Sequence, residues 1–294
     1  QHRSNHFSAE RVGLINRFIS DPQRRIPDAQ ISDSAPHPIF DHLVELRQSH
    51  RFSASTGIGR FSRALLSGEL KTWMEDQKNG AGADEQVVID PNYLDEFFDR
   101  FITGYSAFIR EPDIQKALHQ FNTLRVLSAV REGAQGLYVL NRAIELFLQA
   151  KGLLHISGKF YENRPMILTR NYYEHGVFNG DVGIIRHDEK GTPMWWFEDS
   201  AGELKSVLPS YLSEAETAFA MTIHKSQGSE FDEVMVILPG SADARILTRE
   251  LLYTAVTRAR RRVFVQGTAE VILAAASRHV QRASGIATRF LDPK

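Results

Sequence analysis

The stretch from Met221 to Leu238, MTIHKSQGSEFDEVMVIL, contains two apolar runs separated by a short polar segment. A reversal of the chain between two strands needs only one or two residues such as Gly, Asn, Asp or Pro. This segment instead supplies a hydroxyl, an imidazole, an ammonium, an amide and a carboxylate group in addition to Gly228. We therefore expect these side chains to serve a purpose beyond the turn itself.

A second group of reactive side chains lies in RELLYTAVTRARRRVFV. The apolar spacing predicts a helix over residues 248–261, and at about 100° per residue Arg258 falls at the edge of its apolar face. Arg260 and Arg261 fall on the wetter side. A guanidinium held at such an edge by its apolar stem is suited to bind the charge of a phosphoryl group during its transfer. The alternative is a surface arginine near a helix C-terminus, and the helix taken alone favours that alternative.

Composition limits the possible function classes. The chain has 294 residues, of which 42% are hydrophobic and 24% charged, as in a globular protein of one or two domains. The absence of cysteine excludes disulfides, thiolate metal sites and a cysteine nucleophile, and it fits a reducing cytoplasm. No apolar run approaches the roughly 18 residues of a transmembrane helix. The N-terminus has neither the apolar segment of a signal peptide nor a starting Met, so we expect a cytoplasmic fragment.

The formal net charge of −1 conceals an uneven distribution. Residues 84–113 contain eight acidic residues and two arginines, a balance of −6. Residues 245–294 contain ten Lys or Arg and three acidic residues, a balance of +7. The basic segment favours an anionic partner such as phosphate or nucleic acid. The alternative is a solvated surface with cations near helix C-termini.

The order of the predicted elements indicates an α/β fold. Residues 1–35 have the Asp-, Ser- and Pro-rich composition of a linker. The strand TLRVLSAV is followed by a Gly-containing turn and a helix, which is the repeating unit of an α/β sheet. Further strands are predicted at TAFAMTI, EVMVILP and RVFVQG, and further helices at residues 37–48, 58–67, 92–109 and 269–281.

Residues 158–212 have a different pattern. Four short strands, RPMILTRN, VGIIRH, PMWWFE and LKSVLP, alternate with segments rich in turn residues. This spacing predicts a small β-barrel inserted into the α/β domain. Trp195 and Trp196 are adjacent, so one should face inward and the other outward. The outward ring either stacks on a nucleic-acid base or only covers the surface.

The two chemistry-bearing stretches resemble motifs V and VI of superfamily 1 helicases, and more closely those of the RecD family, the alpha subunits of exodeoxyribonuclease V. LRQSHRFSASTGIG is similar to the motif IV region of that family, and RPMILTRNYYEHGVFNGDVGI to the start of its inserted barrel. The similarity covers most of residues 37–290. It implies a RecA-like second motor domain, a parallel sheet with flanking helices, at residues 36–157 and 213–294. An SH3-like insert would occupy residues 158–212, after a linker-like segment at residues 1–35.

The resemblance implies that Thr222, His224 and Lys225 bind the backbone of single-stranded DNA. Hydroxyl and imidazole groups can bind phosphate without reading the base sequence. RNA as the substrate stays open, because contacts with phosphates do not distinguish it from DNA.

The resemblance also implies a nucleotide site. Gln227, Gly228 and Glu230 would shape the turn towards the sugar of ATP, where glycine permits a close approach and a carboxylate can accept from a ribose hydroxyl. Arg51 and Arg258 would be the catalytic arginines that approach the γ-phosphate when the interdomain cleft closes.

The printed sequence departs from the family pattern because no G-x-x-x-x-G-K-[ST] phosphate loop occurs in it. The segment VVID, Val87 to Asp90, resembles a magnesium-binding strand end, but it lacks a paired Glu and is expected to lie in an acidic loop. We therefore predict no metal site within the chain. In the intact subunit, ATP and Mg²⁺ would be bound mainly by the half that carries the phosphate loop, so this chain alone should not hydrolyse ATP.

The function implied by the resemblance is ATP-dependent 5′ to 3′ DNA unwinding in double-strand-break repair and recombination, with RecB and RecC subunits as partners and no membrane. The alternative is a non-enzymatic module that docks DNA or protein through the barrel and the basic C-terminus. The joint presence of Arg51, Gln227, Glu230 and Arg258 disfavours that alternative, because relic motor motifs would not need all four.

Overall fold

A computed structural model of the chain describes residues 5–32, 40–44, 56–80, 85–199 and 201–280. Arg51, one of the two predicted catalytic arginines, lies outside the described residues. The chain divides into two compact units, the first comprising residues 1–50 and 281–294 and the second residues 51–280. No helix within the described ranges is long and apolar enough to cross a membrane.

The first unit contains α1 (Ala9–Phe18), a helix within the segment whose composition is that of a linker. Ser8 caps this helix, because its side chain accepts a hydrogen bond from the backbone N–H of Arg11. Asp41 in turn accepts from both the N–H and the hydroxyl of Ser8, each at 2.7 Å. Of the helix predicted at residues 37–48, the described part is a 3-10 helix at Phe40–His42, and the rest lies outside the described residues.

The second unit is built on a parallel sheet, which confirms the predicted α/β architecture. Its strands are β1 (Val87–Asp90), β2 (Leu124–Ser128), β8 (Ala220–Thr222), β9 (Phe231–Ile237) and β10 (Ala259–Gln266). They are ordered β1-β10-β9-β2-β8. The expectation of a loop at VVID is wrong, because β1 pairs with β10 and places Val87 opposite Val263. Burial of Val87 in the core overrides the acidic residues that flank this strand.

Helices cover both faces of the parallel sheet, and a buried hydrophobic cluster lies on each face. The first face is covered by α2 (Gly57–Ser67), α3 (Leu70–Lys78), α8 (Arg249–Val256) and α9 (Ala269–Ser277). The second face is covered by α4 (Glu96–Thr103), α5 (Ser106–Arg110), α6 (Ile114–Phe121) and α7 (Leu137–Ala150). The single helix predicted over residues 92–109 is thus two helices, interrupted where Gly104 packs against Leu124 so closely that a Cβ would lie 2.6 Å from it.

A second sheet of five antiparallel strands lies in the same unit. Its strands are β3 (Pro165–Leu168), β4 (Val182–His187), β5 (Pro193–Glu198), β6 (Leu204–Val207) and β7 (Ala215–Thr217), in the order β6-β5-β4-β3-β7. The first four confirm the four predicted strands. The fifth strand, β7, lies beyond residue 212. The single strand predicted at TAFAMTI is in fact two, because its first residue ends β7 and its later residues form β8. Within the described ranges β6 and β7 are edge strands, and closure into an SH3-like barrel stays a prediction.

The two tryptophans of β5 point to opposite sides, as the alternation predicted. Trp195 is fully buried and stacks on Phe197 with a ring separation of 4.7 Å. Trp196 is half-buried and lies opposite Ile184. Ile184 belongs to the buried cluster on the second face of the parallel sheet. Its face of the sheet is therefore directed towards the parallel sheet and its helices.

Candidate functional site

The candidate site begins at the carboxyl ends of two neighbouring parallel strands, β2 and β8, and follows the connection to the start of β9, which lies at the opposite edge of the sheet. Thr222 ends β8 and pairs with Ser128 at the end of β2. The backbone then turns tightly, since the N–H of Ser226 donates to Thr222 O and the N–H of Gln227 to His224 O, each at 3.2 Å. These bonds form a single helical turn. The carboxyl ends of strands are the edge at which open α/β sheets bind ligands.

The turn keeps its apolar and capping groups inside and its other polar groups outside. Ile223 and Ser226 are fully buried, and the Ser226 hydroxyl donates to Ile223 O at 2.7 Å. His224 and Gln227 are exposed. Gly228 has a φ of +91°, a left-handed conformation that favours glycine. His224 and Gln227, two of the side chains that the sequence predicts to bind ligands, therefore face outward from this turn.

Thr222 contributes to both the turn and the surface beside it. Its hydroxyl accepts from the N–H of Lys225 at 3.3 Å, which caps the turn. The residue is 8% exposed. The hydroxyl proton is the group that it can donate to a phosphate oxygen, since the oxygen already accepts from the turn.

Lys225 is held by a carboxylate that sequence reasoning missed. Its Nζ lies 3.0 Å from Glu216 Oε2, and the other oxygen of Glu216 is paired with Arg131 Nη2. Burial opposes ionisation of Glu216, but the hydrogen bonds from Lys225 and Arg131 hold its pKa below the ordinary value. These three residues come from β7, the β8–β9 turn and the β2–α7 loop, so no local pattern joins them. The position of Arg131 just after β2 was the one available signal.

The second half of the turn has a different set of partners. Glu230 Oε2 accepts from Arg260 Nε at 3.0 Å. The carbonyl oxygen of Ser229 accepts from Arg258 Nη1 at 3.1 Å. The predicted nucleotide-binding residues and the predicted catalytic arginine are therefore brought together at this end of the turn.

Arg258 does not lie on a helix, so the predicted helical position is wrong. The helix α8 ends at Val256, because the Thr257 hydroxyl bonds to carbonyl oxygens of the last turn and Ala259 already pairs with Phe231 as part of β10. Arg258 occupies the turn between the two elements. Its Nε donates to Thr254 O at 3.1 Å. Two backbone carbonyls thus fix the half-buried guanidinium, which is the restraint that the helix was expected to provide.

A polar cavity of about 380 Å³ lies beside this half of the turn. Glu230 and Ser229 line it together with Asp181 and Asp199 from the antiparallel sheet. The fully buried Arg125 also lines it and donates to Ala218 O at 2.7 Å, and its burial lowers its pKa to about 10. Among the residues that the structure describes, no group of three or more His, Cys, Asp or Glu could hold a metal ion.

Comparison with known proteins places these residues in a family context. Residues 217–266 match the UvrD-like helicase C-terminal domain, and this segment contains every predicted site residue except Arg51. The chain is 35% identical over 252 residues to the RecBCD enzyme subunit RecD of Mycolicibacterium smegmatis, covering 84% of this chain and 44% of the relative.

Two further relatives have similar coverage of this chain. The RecBCD enzyme subunit RecD of Haemophilus influenzae is 31% identical over an alignment of 313 positions that covers 96% of this chain and 47% of that protein. The ATP-dependent RecD2 DNA helicase of Deinococcus radiodurans is 29% identical over 255 residues, which are 86% of this chain and 32% of that protein. The chain spans less than half the length of these relatives.

Proposed function

Because this chain belongs to the family of the RecD helicase subunits, we propose that it is the second motor domain of an ATP-dependent 5′ to 3′ DNA helicase subunit. The supporting observation is the β8–β9 turn. One end of this turn presents groups suited to a nucleic-acid backbone, and the other end gathers groups suited to a nucleotide. The relatives named as RecBCD subunits favour RecB and RecC as the partners and double-strand-break repair and recombination as the process.

The nucleic-acid side of the proposal is carried by Thr222, His224 and Lys225. Thr222 places its hydroxyl at the end of a fixed strand, and His224 is exposed on the turn that follows. Lys225 supplies a positive charge close to both. These groups bind phosphate and sugar without contacting base edges, so the proposed binding is independent of sequence.

The nucleotide side is carried by Gln227, Gly228 and Glu230. Gly228 allows the backbone to approach the ligand closely. The Glu230 carboxylate is oriented by Arg260 at 3.0 Å, and a carboxylate is a group that can accept from a ribose hydroxyl. Exposed Gln227 can bond with the nucleotide from the same side.

Arg258 is the proposed catalytic residue of this domain. Its guanidinium is fixed against Ser229 O and Thr254 O, at the nucleotide end of the turn. Phosphoryl transfer spreads negative charge over three equatorial oxygens, and a cation fixed in advance stabilises that charge without reorganising. Arg51 is the second catalytic arginine in the proposal, and only its place in the segment that resembles motif IV supports this role.

The printed sequence contains no phosphate loop. We therefore assign most of the contacts with ATP and Mg²⁺ to a phosphate-loop half of the helicase subunit, which closes on this domain. On this proposal the 294-residue chain alone does not hydrolyse ATP.

The test is DNA-stimulated ATP hydrolysis by the chain alone and by the chain joined to the phosphate-loop half of a RecD subunit. We expect turnover from the joined protein only. Turnover by the isolated chain contradicts the assignment of the phosphate contacts to another half. An inactive joined protein favours the alternative of a module that docks DNA or protein without enzymatic activity.

A further inference from the structure

Arg131 lies in the loop between β2 and α7, at the same edge of the parallel sheet as the first half of the β8–β9 turn. Its carbonyl oxygen accepts from the N–H of Tyr138 at 3.4 Å, in the first turn of α7. The loop passes so close to Gly136 that a Cβ there would lie 2.7 Å from Arg131 O. The backbone that carries Arg131 is therefore held tightly against the start of a helix.

The side chain of Arg131 is also fixed in position. Its Nη2 donates to the hydroxyl of Tyr138 at 2.8 Å and is ion-paired with Glu216, and the guanidinium lies 5.4 Å from the centre of the Tyr138 ring. The hydrogen bonds to Tyr138 and Glu216 raise the pKa of Arg131, so it is a cation at every working pH. Both polar contacts use Nη2. Towards the described residues, Nε and Nη1 donate no hydrogen bond, and the side chain is 44% exposed.

The charges around Glu216 do not balance. One carboxylate is shared by two cations, Arg131 and Lys225, which leaves an excess of one positive charge. The carboxylate is the more covered group, at 23% exposure against 44% for Arg131. An approaching polyanion therefore meets the guanidinium before it meets the carboxylate. Fixed donors bind a phosphate at a lower cost in side-chain entropy than mobile ones.

We propose that Arg131 is a phosphate-binding residue for single-stranded nucleic acid, that it acts together with Lys225, and that Glu216 is the positioning residue for both. The inference rests on the proposed nucleic-acid function and extends its surface from the β8–β9 turn to the β2–α7 loop. Thr222 lies between the two loops, at the end of the strand that pairs with β2. A backbone crossing this edge would meet contacts from both loops.

The experiment is the binding of a fluorescent oligo(dT) by the 294-residue chain, measured by anisotropy between about 50 and 200 mM KCl. Each phosphate contact with a single strand contributes about 0.7 to the slope of log K against log salt. Arg131→Ala should therefore weaken binding and reduce that slope by about 0.7. The matched control is Arg100→Ala on α4, which removes another exposed arginine that lies over an aromatic ring, Phe97, at 6.0 Å. The control should leave the slope unchanged.

A second variant, Arg131→Gln, removes the charge but keeps an amide that can donate to Glu216 or Tyr138, and it should reduce the slope equally. Thermal unfolding of each variant shows whether the fold is intact, and Arg131→Gln decides the test if Arg131→Ala does not fold. If the wild-type chain binds oligo(dT) but both variants keep its slope of log K against log salt, this inference is overturned and the proposed nucleic-acid function is not. Absence of binding by the wild-type chain overturns the proposed nucleic-acid function and the inference with it.

Discussion

The two halves of the β8–β9 turn hold their charged groups in different ways. In the first half, Lys225 shares one carboxylate, Glu216, with Arg131, so positive charge is in excess. In the second half, Glu230 is paired with Arg260, and Arg258 donates to two backbone carbonyl oxygens. The first half therefore has an excess of positive charge, whereas the second half holds its donors and acceptors in fixed orientations.

This difference fits the two kinds of ligand that we propose for the turn. A nucleic-acid backbone is a line of equivalent charges, and excess positive charge attracts it at any register. A nucleotide undergoing hydrolysis instead needs donors and acceptors that are already oriented when charge develops. Removing a group from the first half should consequently change affinity, and removing one from the second half should change rate or nucleotide binding.

The largest expected effect is in the second half. In the chain joined to the phosphate-loop half of a RecD subunit, Arg258→Ala should lower kcat for ATP hydrolysis by about 10³-fold, because an arginine of this kind stabilises the transition state. KM for ATP should change little. The matched control is Arg261→Ala, which removes an exposed arginine on β10. A parallel loss of turnover and nucleotide affinity contradicts the assigned role.

A smaller effect is expected in the first half. Thr222→Ala removes a hydroxyl that caps the turn and faces the proposed backbone path, so single-strand affinity should fall by about 1 kcal/mol. The loss should be the same for oligonucleotides of different sequence, because no base edge is contacted. Thr222→Ser should restore binding. A strong dependence on base sequence argues against the backbone assignment.

The two halves also differ in how much of them the sequence predicts. The turn itself is local, because two apolar runs flank a polar segment with a single glycine, and the structure confirms it. The cluster of Arg131, Glu216 and Lys225 is not local, since three separate elements bring its members together. Sequence spacing carries no trace of such a tertiary contact. Sequence reasoning named Lys225 and missed its partners for this reason.

Arg258 shows a different limit of sequence reasoning. Helical spacing continues through RELLYTAVTRAR, but pairing of β10 with β9 and β1 draws the chain into a strand from Ala259 onward. Non-local strand pairing thus decides where the helix ends. The expected immobilisation of Arg258 was nevertheless found, because carbonyl groups of α8 and of the β8–β9 turn accept from it.

The ion pairs of the first half should respond to acid. The pKa of Glu216 is lower in the folded protein than its ordinary value of 4.5, so its pairs stabilise the fold above that value. This contribution is lost as the pH falls through the lowered pKa. We expect Glu216→Gln to have a lower unfolding temperature than the wild type at pH 7, with a difference that shrinks below about pH 4. A difference that is independent of pH means that Glu216 stabilises the fold by packing alone.

The smallest expected change in stability is in the second half. Glu230 and Arg260 form a partly exposed pair, with side chains that are 28% and 58% exposed, and such pairs contribute about 0.2 to 1 kcal/mol to stability. Glu230→Gln should therefore leave the unfolding temperature almost unchanged. In the joined protein it should raise KM for ATP, because the amide is a weaker acceptor for a ribose hydroxyl than the carboxylate. Glu233→Gln, which breaks the pair between Glu233 on β9 and Arg262 on β10 at 3.9 Å, is the matched control. Equal kinetic effects of the two substitutions would show that general charge, and not an oriented acceptor, is what the second half provides.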